Sequence, residues 1–104
     1  MAGRTLRWST RAENSLKEIL AFYQERNGNS VYGDKLTAQI SEALERVVSL
    51  PYSGQKWNAR GFRFVVVKPF QLFYRVTKTE IRVSLVWDSR RDPRTLKKHL
   101  RWAD

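Results

Sequence analysis

Between residues 62 and 88 apolar positions recur with a period of two, in runs at 62–67, 71–77 and 81–88. Each run is rich in β-branched and aromatic residues, the composition of a half-buried strand. Phe62, Phe64 and Val66 share one face of the first strand, and Leu72, Tyr74 and Val76 one face of the second. Ile81, Val83, Leu85 and Trp87 share one face of the third. Upstream the period changes. Ala12, Leu16, Ile19, Leu20 and Tyr23 form a stripe of helical spacing, opened by the capping-box pattern Thr10-x-x-Glu13 and stopped by Asn27-Gly28. A second helix begins near Ser30, carries Leu36, Ile40, Leu44, Val47 and Val48, and ends before Pro51. At about 1.5 Å per residue these helices are roughly 25–30 Å long, and the few residues between them make an antiparallel hairpin. Residues 5–8 alternate, with Leu6 and Trp8 on one side, as in a short edge strand. Residues 50–61 read as a loop in which Lys56, Asn58 and Arg60 lead into the first strand of the meander. At the far end Pro93 suits a first helical turn capped by Asp92, so residues 94–102 read as a short, basic, loosely held helix.

The element order is therefore β-α-α-β-β-β with a short C-terminal helix. An apolar helical hairpin needs a surface to bury against, and the apolar face of the sheet is available. The expected fold class is α+β, with the hairpin packed on one face of a small antiparallel sheet. If the apolar sets share that face, a turn at Lys78-Thr79 places Val76 opposite Ile81 and Arg75 opposite Arg82. A turn at Lys68-Pro69-Phe70 places Val66 opposite Leu72 and Arg63 opposite Arg75. Three arginines then cross the other face in a row, although like charges directly opposite destabilise a sheet. Folding gives no reason to build such a row; an anionic partner does.

Charge points the same way. The formal net charge is +10. Residues 1–60 hold nine Lys/Arg against six Asp/Glu, and residues 61–104 hold eleven against four. A field this lopsided favours a polyanion or an acidic protein surface. The 104 residues suffice for one domain, 1–104, with one modest core. No stretch approaches the roughly 20 apolar residues of a membrane span, and no signal-peptide pattern opens the chain. The absence of cysteine excludes disulfides and thiolate chemistry and fits a cytoplasmic location. A single histidine speaks against a zinc site. No cofactor is expected.

With no phosphate-binding glycine loop and no Ser/His/Asp pattern, the chemistry rests on cations: Arg60, Arg63, Lys68, Arg75, Arg82, Arg90 and Arg91. Guanidinium groups bind phosphates and carboxylates bidentately and stay charged when partly desolvated. Strand cleavage of RNA would also require proton transfer. The candidates are His99 in the tail, Asp88, and Tyr74, whose parity places it on the core face. An aspartate among arginines has a depressed pKa and is a weak base. Among the aromatics, Trp8, Tyr23, Phe62, Phe64 and Tyr74 read as core, and Phe73 and Trp57 are the better candidates for surface contacts with a partner.

Taken together, the residues resemble the RelE/ParE superfamily of toxins from type II toxin–antitoxin modules, often labelled plasmid stabilisation proteins. The matching pieces are Trp8-Ser9-x-x-Ala12, Tyr23, Leu50-Pro51-x-x-Gly54 and Phe73-Tyr74-Arg75-Val76. They continue through Val86-Trp87-Asp88-Ser89-Arg90-Arg91-Asp92-Pro93, with Leu96 following. The resemblance spans about residues 5–97. It implies a small basic toxin in a hetero-oligomer with an antitoxin whose acidic or amphipathic C-terminal segment wraps over it. RelE-like members cleave mRNA in the ribosomal A site; ParE-like members inhibit DNA gyrase and lack nuclease residues. In a nuclease, Arg63, Arg75 and Arg82 would bind and polarise the phosphate. That branch commonly carries a tyrosine or histidine near the end of the last strand or in the tail, where this chain has Trp87, Asp88 and Trp102. The Arg-Arg-Asp-Pro segment looks more like ParE. The expected function is a ParE-like gyrase inhibitor, with Arg60, Lys68, Phe73, Trp87, Arg90 and Arg91 touching target or antitoxin. The alternatives are a ribosome-dependent endoribonuclease and a degenerate, non-toxic relative that binds only antitoxin.

Overall fold

The computed structural model describes residues 3–57 and 60–101, so Asn58 of the loop and Trp102 of the tail lie outside the described residues. Strand β1 (Thr5–Trp8) leads into helices α1 (Thr10–Asn27) and α2 (Val31–Ser49). Short strand β2 (Gln55–Lys56) follows, and then the meander β3 (Arg63–Val67), β4 (Phe70–Val76) and β5 (Glu80–Asp88). Helix α3 (Pro93–Arg101) completes the described chain. The α+β class and element order are those expected, with β2 added within the segment that reads as a loop. The sheet order is β1-β5-β4-β3-β2. All neighbouring strands are antiparallel except β1, which runs parallel to β5, so the sheet is mixed.

The cap of α1 is Ser9, one residue before the expected Thr10: its Oγ accepts the Ala12 N–H at 3.0 Å. Gly28 closes the helix in the left-handed conformation at φ 72°, a position where a side chain would be strained. In α2, Leu36, Ile40, Ala43, Leu44 and Val47 are buried at helical spacing. The first four pack with Ala12, Leu72, Phe70, Val83 and Val86 into the larger core, and Val47 packs with Tyr74 and Ile81.

Two changes of parity reshape the rest. The turn between β3 and β4 holds only Lys68 and Pro69, because Val67 pairs with Phe70. Val66 therefore faces Gln71 and Arg63 faces Tyr74, not Leu72 and Arg75. One residue fewer in the turn flips the whole strand. Phe62, Phe64 and Val66 consequently leave the hairpin face. In β5 an irregularity opposite Phe73/Tyr74 lets Tyr74 pair with Val83 and Phe73 with Leu85, skipping Ser84. Beyond this bulge Leu85 and Trp87 lie on the face opposite Val83.

Backbone groups disturbed at the bulge are met by α1. Ser9 Oγ donates to Ser84 O at 3.2 Å, and Ser15 Oγ accepts the Val86 N–H at 3.1 Å. The displaced aromatics form a second core of Phe62, Phe73, Leu85 and Trp87, on which α3 lays Leu96 and Leu100. Burying each leucine contributes about 1.5–3 kcal/mol. The C-terminal helix is thus docked, not loosely held.

Candidate functional site

The sheet face opposite the α1–α2 hairpin is divided. α3 covers its aromatic part; beside that part the arginines stand. Arg82 is directly opposite Arg75 in the β4–β5 ladder, as expected, and directly opposite Arg7 in the β1–β5 ladder. The row is therefore Arg7, Arg82 and Arg75. Arg63 is not in it. The shortened turn sends Arg63 to the hairpin face, where its guanidinium donates to Tyr52 O at 3.1 Å and Gly54 O at 2.9 Å and lies over the Tyr52 ring. Arg7 is the residue missed from sequence. The alternation of Leu6 and Trp8 already put it on the opposite face, but nothing local says which strand β1 joins.

Glu80 shares the face of Arg82, two residues before it. It accepts from Arg82 Nε at 2.9 Å and pairs with Arg7 at 3.5 Å. The Arg82 hydrogen bond, ahead of the Arg7 charge, holds the Glu80 carboxyl below the usual carboxylate range. Arg75 differs from its neighbours. Its guanidinium lies 4.2 Å from the Phe62 ring centroid, and its Nε is buried without a hydrogen-bond partner. A buried orphan donor costs about 1–3 kcal/mol, and a facing arginine adds repulsion. An incoming carboxylate or phosphate would screen the repulsion between the facing arginines. Next to the row Arg7, Trp8, Ser9, Thr10 and Arg82 line a cleft of about 300 Å³.

The other cations are dispersed. Lys68 is exposed in the β3–β4 turn, in a separate depression shared with Glu42 and Arg46 of α2. Arg90 is turned toward the hairpin, donating to both Asp88 oxygens at 2.7 and 2.9 Å and to the Tyr23 hydroxyl at 2.8 Å. These bonds raise the Arg90 pKa and lower that of Asp88. Arg91 lies 4.5 Å from the centre of the Trp87 ring. Arg60 is exposed beside Trp57, in a cleft under α3. Phe73, expected at the surface, and Trp87, expected to touch target or antitoxin, are 0% and 2% exposed. The bulge and α3 enclose them, so neither offers a surface to a partner in this conformation.

The groups considered for proton transfer do not gather at the row. The Tyr74 hydroxyl is on the hairpin face, where it accepts the Gly54 N–H and donates to Pro51 O, both at 2.9 Å. Burial raises its pKa. Asp88, shifted in parity by the bulge, is held by Arg90. His99 is half-buried against Trp87, its Nδ1 3.3 Å from an Arg11 nitrogen, and lines a different cleft. Burial foremost, then Arg91 and Arg11, lowers its pKa. The acidic group that does join the row is Glu80, and it is ion-paired and deprotonated. Among the described residues the face gathers cations and Glu80, and none of Tyr74, Asp88 and His99.

Among the described residues no cluster of His, Cys, Asp and Glu suits a metal ion, and no helix is long and apolar enough to cross a membrane.

The chain is thus a basic two-layer domain with a helical hairpin on one sheet face and an arginine row on the other. The profile of the family described as ParE toxin of type II toxin-antitoxin system, parDE, matches residues 6–93. The chain belongs to the ParE toxin family. Its fold is similar to that of a chain from the chromosomal ParDE TA system from P. aeruginosa, at a TM-score of 0.68 and 22% identity, covering 80% of this chain and 92% of that one. No curated protein sequence matches it.

Proposed function

We propose that this ParE-family toxin arrests growth by binding a protein target, DNA gyrase, through the Arg7–Arg82–Arg75 face, and that a cognate antitoxin neutralises it with an acidic segment. The observation that carries the reading is Arg75: a guanidinium with a buried, unsatisfied Nε, facing a second arginine, on a face without a placed acid–base pair. Facing arginines cost stability, and an anion bound on the face offsets that cost by screening their repulsion. A binding toxin needs nothing more, whereas a nuclease must also move protons. Acidic surfaces on gyrase and on the antitoxin would compete for one face, which makes neutralisation a matter of occupancy. Both encounters belong in the cytoplasm.

The test is gyrase supercoiling with the purified chain. Inhibition that the antitoxin relieves, and that Arg75→Gln weakens, is the expected result. Unchanged supercoiling with new ribosome-dependent mRNA ends in a translating extract would replace the reading with an endoribonuclease. Growth unaffected by expression without antitoxin would leave a non-toxic antitoxin-binding relative.

A further inference from the structure

The strongest unassigned feature is the cleft between α3 and the residues Trp57, Arg60 and Phe62. It encloses about 460 Å³ and is lined by Trp57 and Phe62 on one side and by Lys97, Lys98 and Arg101 on the other, with Arg60 at its edge. None of its described lining residues is acidic. Arg94, Lys97, Lys98 and Arg101 recur at helical spacing, opposite the buried Leu96 and Leu100. The stripe is therefore set by the docking of α3: with its leucines on the aromatic core, its cations must overhang the cleft. From Arg94 to Arg101 it spans roughly 10 Å along the helix. α3 begins where the match to the family profile ends, at residue 93.

The aromatic wall leaves the indole without a parallel-stacked partner among the described residues. Trp57 is partly exposed and meets Phe62 and Phe73 edge-on, at interplanar angles of 78° and 82°. Neither phenyl ring lies flat on the indole. Its backbone N–H donates to Phe62 O at 3.0 Å, which fixes it at the end of the sheet. A partly exposed indole beside a line of cations is the arrangement that holds a base by its π-face and the neighbouring phosphates by charge.

From this geometry we infer that the α3–Trp57 cleft binds single-stranded nucleic acid, with one base stacked on Trp57 and the backbone running along Lys97, Lys98 and Arg101. An acidic peptide would meet the same cations but brings no flat ring to the indole. A rigid duplex keeps its bases stacked on each other, away from Trp57. The inference is independent of the toxin's protein target.

The experiment is fluorescence anisotropy of labelled oligo(dT) and oligo(U) of about 10 nucleotides, titrated with the full chain at several salt concentrations. The K97Q/K98Q double variant changes only exposed side chains; it should bind about tenfold more weakly and lower the salt slope by about 0.7 for each phosphate left without its cation. Trp57→Ala should weaken binding roughly 5- to 100-fold, with circular dichroism checking that α3 stays docked. The K17Q/K35Q variant removes the same charge from the helical hairpin and should bind as the wild type does. Preference for one oligonucleotide identifies DNA or RNA as the natural strand. An equal weakening in K17Q/K35Q, tighter binding of duplex, or displacement by poly-glutamate at matched charge would each overturn the assignment.

Discussion

Ser15 Oγ accepts the backbone N–H of Val86 at 3.1 Å while donating to Ala12 O at 2.8 Å, and so ties the first helix to the strand just past its bulge. The bulge is what turns Leu85 and Trp87 away from the hairpin and gives α3 a surface to dock on. Ser15→Ala would leave the Val86 N–H, beside a buried Val86 side chain, without this acceptor. The expected loss is about 1–3 kcal/mol, measured by urea denaturation. Hydrogen exchange at the Val86 amide should accelerate more than at Leu72 in the middle of the sheet.

The elements were legible because each carries its own signal: the stripes of α1 and α2, Gly28 between them, Pro93 before α3. The Arg75–Arg82 pairing was legible too, because Thr77 and Glu80 close a short turn by the N–H of Thr77 donating to Glu80 O. Parity was not. Residues 62–67 are apolar at even positions and again at Val65 and Val67, so either face reads as core. Leu85-Val86-Trp87 has the same ambiguity. Continuous apolar runs of that kind mark a strand covered on both sides, and that was the available signal for a second core beneath α3. The length of the Lys68-Pro69 turn and the partner of β1 are decided by packing across the sheet, which no local window contains.

Tyr74 anchors the segment after α2 through its hydroxyl, which serves both Gly54 N–H and Pro51 O. Tyr74→Phe would strand the buried Gly54 N–H and should cost about 1–3 kcal/mol. Gly54→Ala should cost more. A Cβ at that position would collide with the Tyr74 hydroxyl and stand 2.8 Å from its ring Cε1, so the ring or the loop must move. Thermal unfolding of the two variants, ranked against the wild type, checks the order.

Arg75→Gln separates binding from folding. The change removes a charge that faces Arg82 and forfeits the cation–π interaction with Phe62, worth about 0.5–1 kcal/mol at a partly exposed site. The repulsion relieved is of the same order. The orphaned Nε, a cost of about 1–3 kcal/mol, is removed as well, so stability should equal or exceed that of the wild type, while growth inhibition on expression without antitoxin falls sharply. A large drop in melting temperature together with full toxicity would assign Arg75 to the fold and remove it from the target surface.

His99 makes the docking of α3 sensitive to acid. It packs 5.3 Å from the Trp87 ring centroid and faces Arg11 and Arg91, whose effect Glu18 opposes. Burial and the two arginines lower its pKa from the ordinary 6.5, so the unfolded chain takes up a proton that the folded chain refuses. Within the window below 6.5 the unfolded state binds more protons, and stability must fall as pH falls. The contribution is fully present above 6.5 and lost on the way down to the folded pKa. The paired carboxylates Glu80, Asp88 and Asp92, whose pKa values are also lowered, lose their stabilisation at lower pH, below the ordinary carboxylate range. His99→Gln should flatten the upper limb of the pH–stability curve and leave the lower limb in place. Denaturation midpoints from neutral pH to about pH 5 would show it; an unchanged slope in the variant would mean that the histidine does not govern the docking of α3.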